Sequence, residues 1–242
     1  MHRRIAERIA HTARLAATDT VLEIGPGTGM LTKELLRCAQ HVIALEADEV
    51  LYEDLEVLFA TDIAEGRLDL RHQDVRTFSP TTLLENYHLV ANIPYYLTGE
   101  IFRLFLETER QPQSMILLVQ KEVAERIARS KKESILSLSV KVYGTPHYEF
   151  TVPRGAFRPA PNVDSAVLSI RDISRKNFTS SEEEKQFFHL LHTGFAHKRK
   201  ILTKNLKSVT SAALTIPKNM RAEDMSLADW LMLMRLSQEN QE

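Results

Sequence analysis

Short apolar runs alternate along the chain with segments whose apolar residues recur every three or four positions. TVLEIG (20–25), HVIALE (41–46), RLDLRH (67–72), YHLVAN (87–92) and SMILLVQ (114–120) have strand length. Apart from RLDLRH, which alternates apolar and charged residues, they carry few polar interruptions, as strands covered on both faces do. Between and after them, MLTKELLRCA, EVLYEDLEVLFA, GEIFRLFLETE and KEVAERIARS have helical spacing. This alternation predicts a parallel sheet with right-handed crossovers. At the start, MHRRIAERIAHTARLAA places Ile5 and Ile9 one turn apart on an apolar helix face, although its four arginines also fit an organelle-targeting peptide. ILSLSVKVY (135–143) alternates with period two yet is long enough for a helix, so both readings stay open. YEFTVP and VDSAVLSI then read as two strands joined by the proline-rich loop RGAFRPAPN.

The pattern changes at 171–181, where RDISRKNFTSS turns polar, and a domain boundary is expected there: 1–174 and 175–242. Beyond it, Ser181 with Glu184 and Ser226 with Asp229 have the spacing of helix-capping boxes. The last third of the chain therefore reads as a small helical domain, with the Met and Leu stripe at 231–236 as its core.

Composition narrows the class. A hydrophobic share of 43% and a charged share of 26% over 242 residues are ordinary for a globular chain. The single cysteine, Cys38, excludes an internal disulfide and points to a reducing setting, cytoplasmic or organellar. The longest apolar run, MILLV at 115–119, is far short of the about 20 residues of a membrane helix. A net charge of −1 argues against a basic footprint over the whole protein. Yet Phe195 to Arg221 holds seven Lys/Arg and no acid, which suits phosphate. The nine histidines are scattered, and His189 with His192 is a helical pair with no acid or cysteine arranged around it, so no metal site is expected.

VLEIGPGTGMLT sets Gly25, Gly27 and Gly29 between a strand and a helix. Glycines there allow a sharp turn and close approach of a ligand, and a helix start offers unpaired N–H groups. Glu46 ends the next strand, seventeen residues beyond Gly29, where an acid can accept from two vicinal ribose hydroxyls. The third glycine comes one residue earlier than in G-x-G-x-x-G, and Glu23 precedes the turn. That variant is similar to the S-adenosylmethionine (SAM) site of class I methyltransferases. After the third strand, Asp74 could accept from the adenine amino group, with Val75 covering the ring.

NIPYY (92–96) follows the fourth strand, so it should face the same crevice. The lone pair of an exocyclic amine on adenine is delocalised into the ring. An acceptor at each N–H would free it. The Asn92 side-chain oxygen and the Pro94 carbonyl are the candidate acceptors, and Tyr95 the stacking face for a base taken out of its helix.

Together EIGPGTGMLT, ALEAD, QDV, NIPYYLTGEI, LLVQKEVAERI, VPRGAFRPAPNVDSAVL and FAHKRKILTKNL resemble the rRNA adenine N6,N6-dimethyltransferase family, small-subunit type. The resemblance spans most of the chain. It implies a Rossmann-like α/β fold with a mostly parallel seven-stranded sheet and a small C-terminal helical domain. It also implies a monomer that uses SAM to dimethylate two adjacent adenines in a 3′-terminal hairpin of small-subunit rRNA, within a 30S-type particle. By the same resemblance, Gly25, Glu46, Asp74 and Asn92 would hold cofactor and target, Phe157 would stack on the far face of the flipped base, and Lys198, Arg199 and Lys200 would meet rRNA phosphate.

The chain departs from the family pattern in having no GQNFL-type segment before the first helix, from which weaker SAM binding at an open site is expected. Tyr96 also stands where the family often has a smaller residue, and no Tyr-Gly pair precedes 135–143. Three rivals remain: a large-subunit rRNA methyltransferase of the antibiotic-resistance type, a non-catalytic ribosome-assembly or transcription factor on the same fold, and a nicotinamide dehydrogenase. The last lacks a hydride-transfer partner.

Overall fold

A computed structural model describes residues 2–83, 86–197 and 199–239. The chain divides into two compact units, Met1–Ala124 with Thr145–Ile173, and Glu125–Gly144 with Ser174–Glu242.

The first unit is built on a seven-stranded sheet of order β3-β2-β1-β4-β5-β7-β6. The strands are β1 (Thr20–Ile24), β2 (His41–Glu46), β3 (Leu68–His72), β4 (Tyr87–Asn92), β5 (Ser114–Gln120), β6 (Thr145–Val152) and β7 (Ser165–Arg171). β1 to β5 run parallel, and β7 lies antiparallel between β5 and β6. The five apolar runs of the sequence are thus the five parallel strands. Helices α1 (Arg3–Ala13) and α2 (Met30–Leu35) set Ala6, Ile9, Leu31 and Leu35 against Val21, Ala44, Val90 and Ile116 on one face of the sheet. Ile9 and Leu35 are fully buried, each worth about 1.5–3 kcal/mol relative to exposure. Helix α1 is therefore part of the core. On the alternate strand positions Leu22, Ile43, Leu89 and Leu117 are also buried, which explains the unbroken apolar runs. Asp48 caps α3 (Glu49–Leu58) by accepting the Leu51 N–H at 3.0 Å. The short α4 (Ala60–Ala64) follows it, and α5 (Thr98–Leu106) follows β4. Helix α6 (Lys121–Ala128) follows β5.

In the second unit, residues 135–141 are a helix, α7 (Ile135–Lys141). Ser134 and Ser137 decide between the two open readings: each side chain accepts the other's backbone N–H, at 3.1 and 2.7 Å. Residues 125–144 thus group with the C-terminal helices although they precede β6 and β7 in sequence. Tyr143 makes ring contacts with Phe178 and Phe188 at 5.9 and 6.2 Å, and its hydroxyl donates to Glu184 of α8 (Ser181–Phe195). The Arg175 guanidinium donates to the other oxygen of that carboxylate at 2.6 Å. The cap of α8 is Ser180, which accepts the Glu183 N–H at 3.2 Å, one residue ahead of the Ser181–Glu184 pair expected. After the short α9 (Leu202–Leu206), the Ser226–Asp229 box opens α10 (Leu227–Glu239), as its spacing indicated. Trp230 on α10 is fully buried and stacks on Phe195 at 5.8 Å.

Candidate active site

The strand order reverses between β1 and β4, which lie side by side. In an open α/β sheet that reversal leaves a crevice beyond the carboxyl ends of the strands. The glycine turn leaves β1 there, and NIPYY leaves β4. Register aligns Glu23 with both Ala44 and Val90. Glu46 stands two residues beyond Ala44, and Asn92 two beyond Val90. Side chains alternate along a strand, so Glu23, Glu46 and Asn92 project to one face of the sheet.

Gly25, Gly27 and Gly29 all have left-handed backbones, with φ of +67, +58 and +73°. They are glycines for different reasons. A Cβ on Gly25 would stand 3.6 Å from the Asn92 carbonyl oxygen, so the two loops pass close together. Beside Gly27 there is open space, with nothing within 4 Å. At Gly29, read in the sequence as a ligand glycine, a Cβ would meet the Phe59 ring at 2.5 Å and Leu55 at 3.0 Å. Protein fills that space.

Glu46 holds the turn. Its Oε2 accepts the Gly27 N–H at 3.0 Å, and Oε1 accepts from Ala47 and Asp48 at 2.9 and 3.0 Å. Oε2 keeps a lone pair for a further donor. Glu23 is 1% exposed, and burial pushes its carboxyl up to about 8. The Glu46 charge adds to the rise, while Thr32 of α2 opposes it. Even so, neither Glu23 Oε2 nor Thr32 Oγ1 has a partner in hydrogen-bonding geometry. Two buried polar atoms side by side without partners are costly unless something else pairs with them.

Asp74 is committed more fully than its sequence role supposes. It caps the 3-10 turn Val75–Thr77 and grips Arg76 through Nε at 3.0 and 3.1 Å and Nη2 at 2.5 Å. These bonds hold its carboxyl below the usual range. Val75, beside it, is buried.

In NIPYY, the Asn92 side chain is half-buried and makes no hydrogen bond to any described residue. The Pro94 carbonyl already accepts the Leu97 N–H at 3.0 Å, closing the 3-10 turn Tyr95–Leu97. Its second lone pair is what remains for a target amine. Tyr95 is fixed at both ends: its hydroxyl pairs with Ser165 of β7 at 2.7 Å, and its carbonyl accepts from Thr98 Oγ1 at 2.9 Å. Tyr96, the next residue, is 80% exposed. Phe157 is half-buried and packs against the apolar cluster of the sheet, α1 and α2. The sequence pattern does not single out Thr32, Arg76 or Ser165. Each is an ordinary polar residue in sequence, and only the fold shows what it faces.

Arg199 and Lys200, in the second unit, are exposed just after α8, while Lys198 lies outside the described residues. His189 and His192 are exposed on α8. Among the described residues no three His, Cys, Asp or Glu side chains could hold a metal, and no helix is long and apolar enough to cross a membrane.

A family model for ribosomal RNA adenine dimethylase matches residues 1–239. The chain belongs to that family. Among relatives, the "Ribosomal RNA small subunit methyltransferase A" of Dehalococcoides mccartyi is 38% identical over 250 residues, covering 98% of this chain and 84% of that protein. The protein of the same name in Fusobacterium nucleatum is 33% identical, covering 96% and 91%. A dimethyladenosine transferase from Plasmodium falciparum has a matching structure, with a TM-score of 0.77 and 25% identity over 95% of this chain and 94% of that one. The 23S rRNA methyltransferase ErmE matches with a TM-score of 0.80 and 23% identity over 98% of each chain, a likeness of fold alone. The family's class I methyltransferase fold is the one described above, and the chain is an rRNA adenine methyltransferase.

Proposed function

We propose that this chain uses SAM to dimethylate two adjacent adenines in a 3′-terminal hairpin of small-subunit rRNA, as a cytoplasmic monomer acting on a 30S-type particle. The observation that carries the reading is the unpartnered Asn92 carboxamide at the end of β4, beside the glycine turn of β1 and on the same sheet face as Glu23 and Glu46.

The residues around the turn suit SAM. The unpaired Glu23 carboxyl and Thr32 hydroxyl offer partners for its amino-acid end, and Glu46 an acceptor for a ribose hydroxyl. The fit is poorest at Asp74, whose contacts to Arg76 must loosen before it can accept from an adenine amine. When bound, the cofactor supplies an electrophilic methyl group on a sulfonium.

The chain's own residues prepare the nucleophile. The Asn92 oxygen accepts one N–H of the target amine, and the Pro94 carbonyl, with its remaining lone pair, accepts the other. Together they draw the nitrogen towards a tetrahedral shape. Tyr95, locked by Ser165, presents a ring for the extruded base. No strong base is needed, since the amine proton becomes acidic once nitrogen is alkylated. Catalysis is thus positioning and electrostatic preorganisation. Phe157, half-buried against the apolar cluster, would cover the far face of the base. The C-terminal helices, with Lys198, Arg199 and Lys200, contact rRNA phosphate.

The test is transfer of labelled methyl to 30S particles lacking the modification, set beside protein-free 23S rRNA. Transfer to the particles alone supports the proposal. Transfer to 23S rRNA alone would replace it with the large-subunit reading. Binding to particles without transfer would favour an assembly factor.

A further inference from the structure

The chain has six tyrosines. Five use their hydroxyls: Tyr52 with Glu56, Tyr87 with the Arg110 carbonyl, Tyr95 with Ser165, Tyr143 with Glu184 and Tyr148 with Thr151. Tyr96 makes no hydrogen bond to any described residue. It is also the one aromatic among the exposed large hydrophobic residues described. One exposed ring is ordinary on a protein surface; what sets this one apart is its place in the 3-10 turn that follows Asn92 and carries Tyr95.

Its position says which partner. Tyr96 lies four residues after Asn92, a span of at most about 14 Å and less within the 3-10 turn. Tyr95 and Tyr96 are consecutive, one ring tied inward to β7 and the other outward. A strand whose target base is withdrawn towards Asn92 must pass this turn with its next base unstacked on one side. At the same end of the sheet, Asp74 pins the Arg76 guanidinium. The neighbouring cleft of about 350 Å³ has Arg76 and Arg103 but also Glu100 and Glu107 on its walls. That mixture does not favour a phosphate chain. It leaves the neutral ring face as the contact, and a ring face takes any base.

We propose that Tyr96 is the stacking platform for the nucleotide adjacent to the target adenine, and so a positioning residue for the strand. This rests on the proposed RNA methyltransferase reading.

The test compares wild type with Tyr96→Ala, Tyr96→Phe and Tyr96→Trp. Three quantities are read: kcat/KM on 30S particles lacking the modification, SAM affinity by calorimetry, and fluorescence of an RNA hairpin with 2-aminopurine next to the target adenine. The expected result is a loss of roughly tenfold in kcat/KM for Tyr96→Ala, with the quenching of 2-aminopurine lost. Tyr96→Phe and Tyr96→Trp retain both, and all four proteins bind SAM alike. The proposal is overturned if Tyr96→Ala behaves as wild type, if Tyr96→Phe falls as far as Tyr96→Ala, or if Tyr96→Ala loses SAM affinity. If wild type itself transfers no methyl to the particles, the functional reading fails, and this inference with it. If wild type transfers and Tyr96→Ala matches it, this inference fails alone.

Discussion

Gly29→Ala is predicted to damage stability first and cofactor binding only as a consequence. Two costs add. The backbone at φ +73° lies in the left-handed region, where a Cβ costs about 1–2 kcal/mol. The new Cβ would also press on Phe59 Cε2 at 2.5 Å, Phe59 Cζ at 2.9 Å and Leu55 Cδ2 at 3.0 Å. Phe59 and Leu55 are 5% and 1% exposed, so neither side chain can swing into solvent, and overpacking of this kind costs about 1–3 kcal/mol. The sum is about 2–5 kcal/mol, or a fall of about 5–20 °C in Tm for a chain of this size. Gly27→Ala is the internal control: its φ is +58° with nothing within 4 Å, so only the backbone term of about 1–2 kcal/mol applies. Urea unfolding of Gly29→Ala, Phe59→Leu and the double variant isolates the contact, with an expected coupling of about 1–3 kcal/mol because the smaller side chain relieves the clash. A coupling near zero, or Gly29→Ala no less stable than Gly27→Ala, would mean that Phe59 does not occupy the space a Cβ at Gly29 needs.

Other perturbations probe the site. Between about pH 4.5 and 8 the folded chain holds a proton on Glu23 that the unfolded chain releases, so this stability is present below 4.5 and lost as pH rises towards 8. Thermal melts of the cofactor-free protein across that range should show the decline, and Glu23→Gln should flatten it. Tyr95→Phe leaves the fully buried Ser165 hydroxyl without its partner, costing about 1–3 kcal/mol, and lowers methyl transfer by loosening the ring; unfolding and single-turnover assays check the two effects. Replacing Arg199 and Lys200 with Ala should reduce the slope of log K against log salt for RNA binding by about 1.5–2, whereas an unchanged slope places the phosphate contacts elsewhere.

Most of the fold is legible in the residues, because strands buried on both faces leave apolar runs that little else imitates. Their order in the sheet is not. Nothing in TVLEIG or YHLVAN states that β1 and β4 are neighbours, and that adjacency is what brings the glycine turn to Asn92. The segment 135–143 is ambiguous in sequence because its apolar alternation is period two, while the deciding signal is the pair of Ser134, just before it, and Ser137, in its first turn. A serine at the third helical position is a weaker mark than Glu or Gln. At the site, residue types suggested the chemistry but not prior commitments. Asp74 spends its acceptors on Arg76, Pro94 closes a turn, and the space beside Gly29 belongs to Phe59. Glu23 shows the opposite case: its buried, unpaired oxygen is a stronger indication of a ligand than its place before the glycines.

The central claim, that Asn92 activates an adenine amine of small-subunit rRNA, is tested most directly by nucleoside mass analysis of rRNA from 30S particles incubated with SAM and either wild type or Asn92→Ala. Wild type should yield N6,N6-dimethyladenosine at two adjacent positions. Asn92→Ala should bind SAM as wild type does and yield less product by about 10²-fold or more. Equal product from both proteins, or methyl groups on large-subunit rRNA instead, would contradict the account.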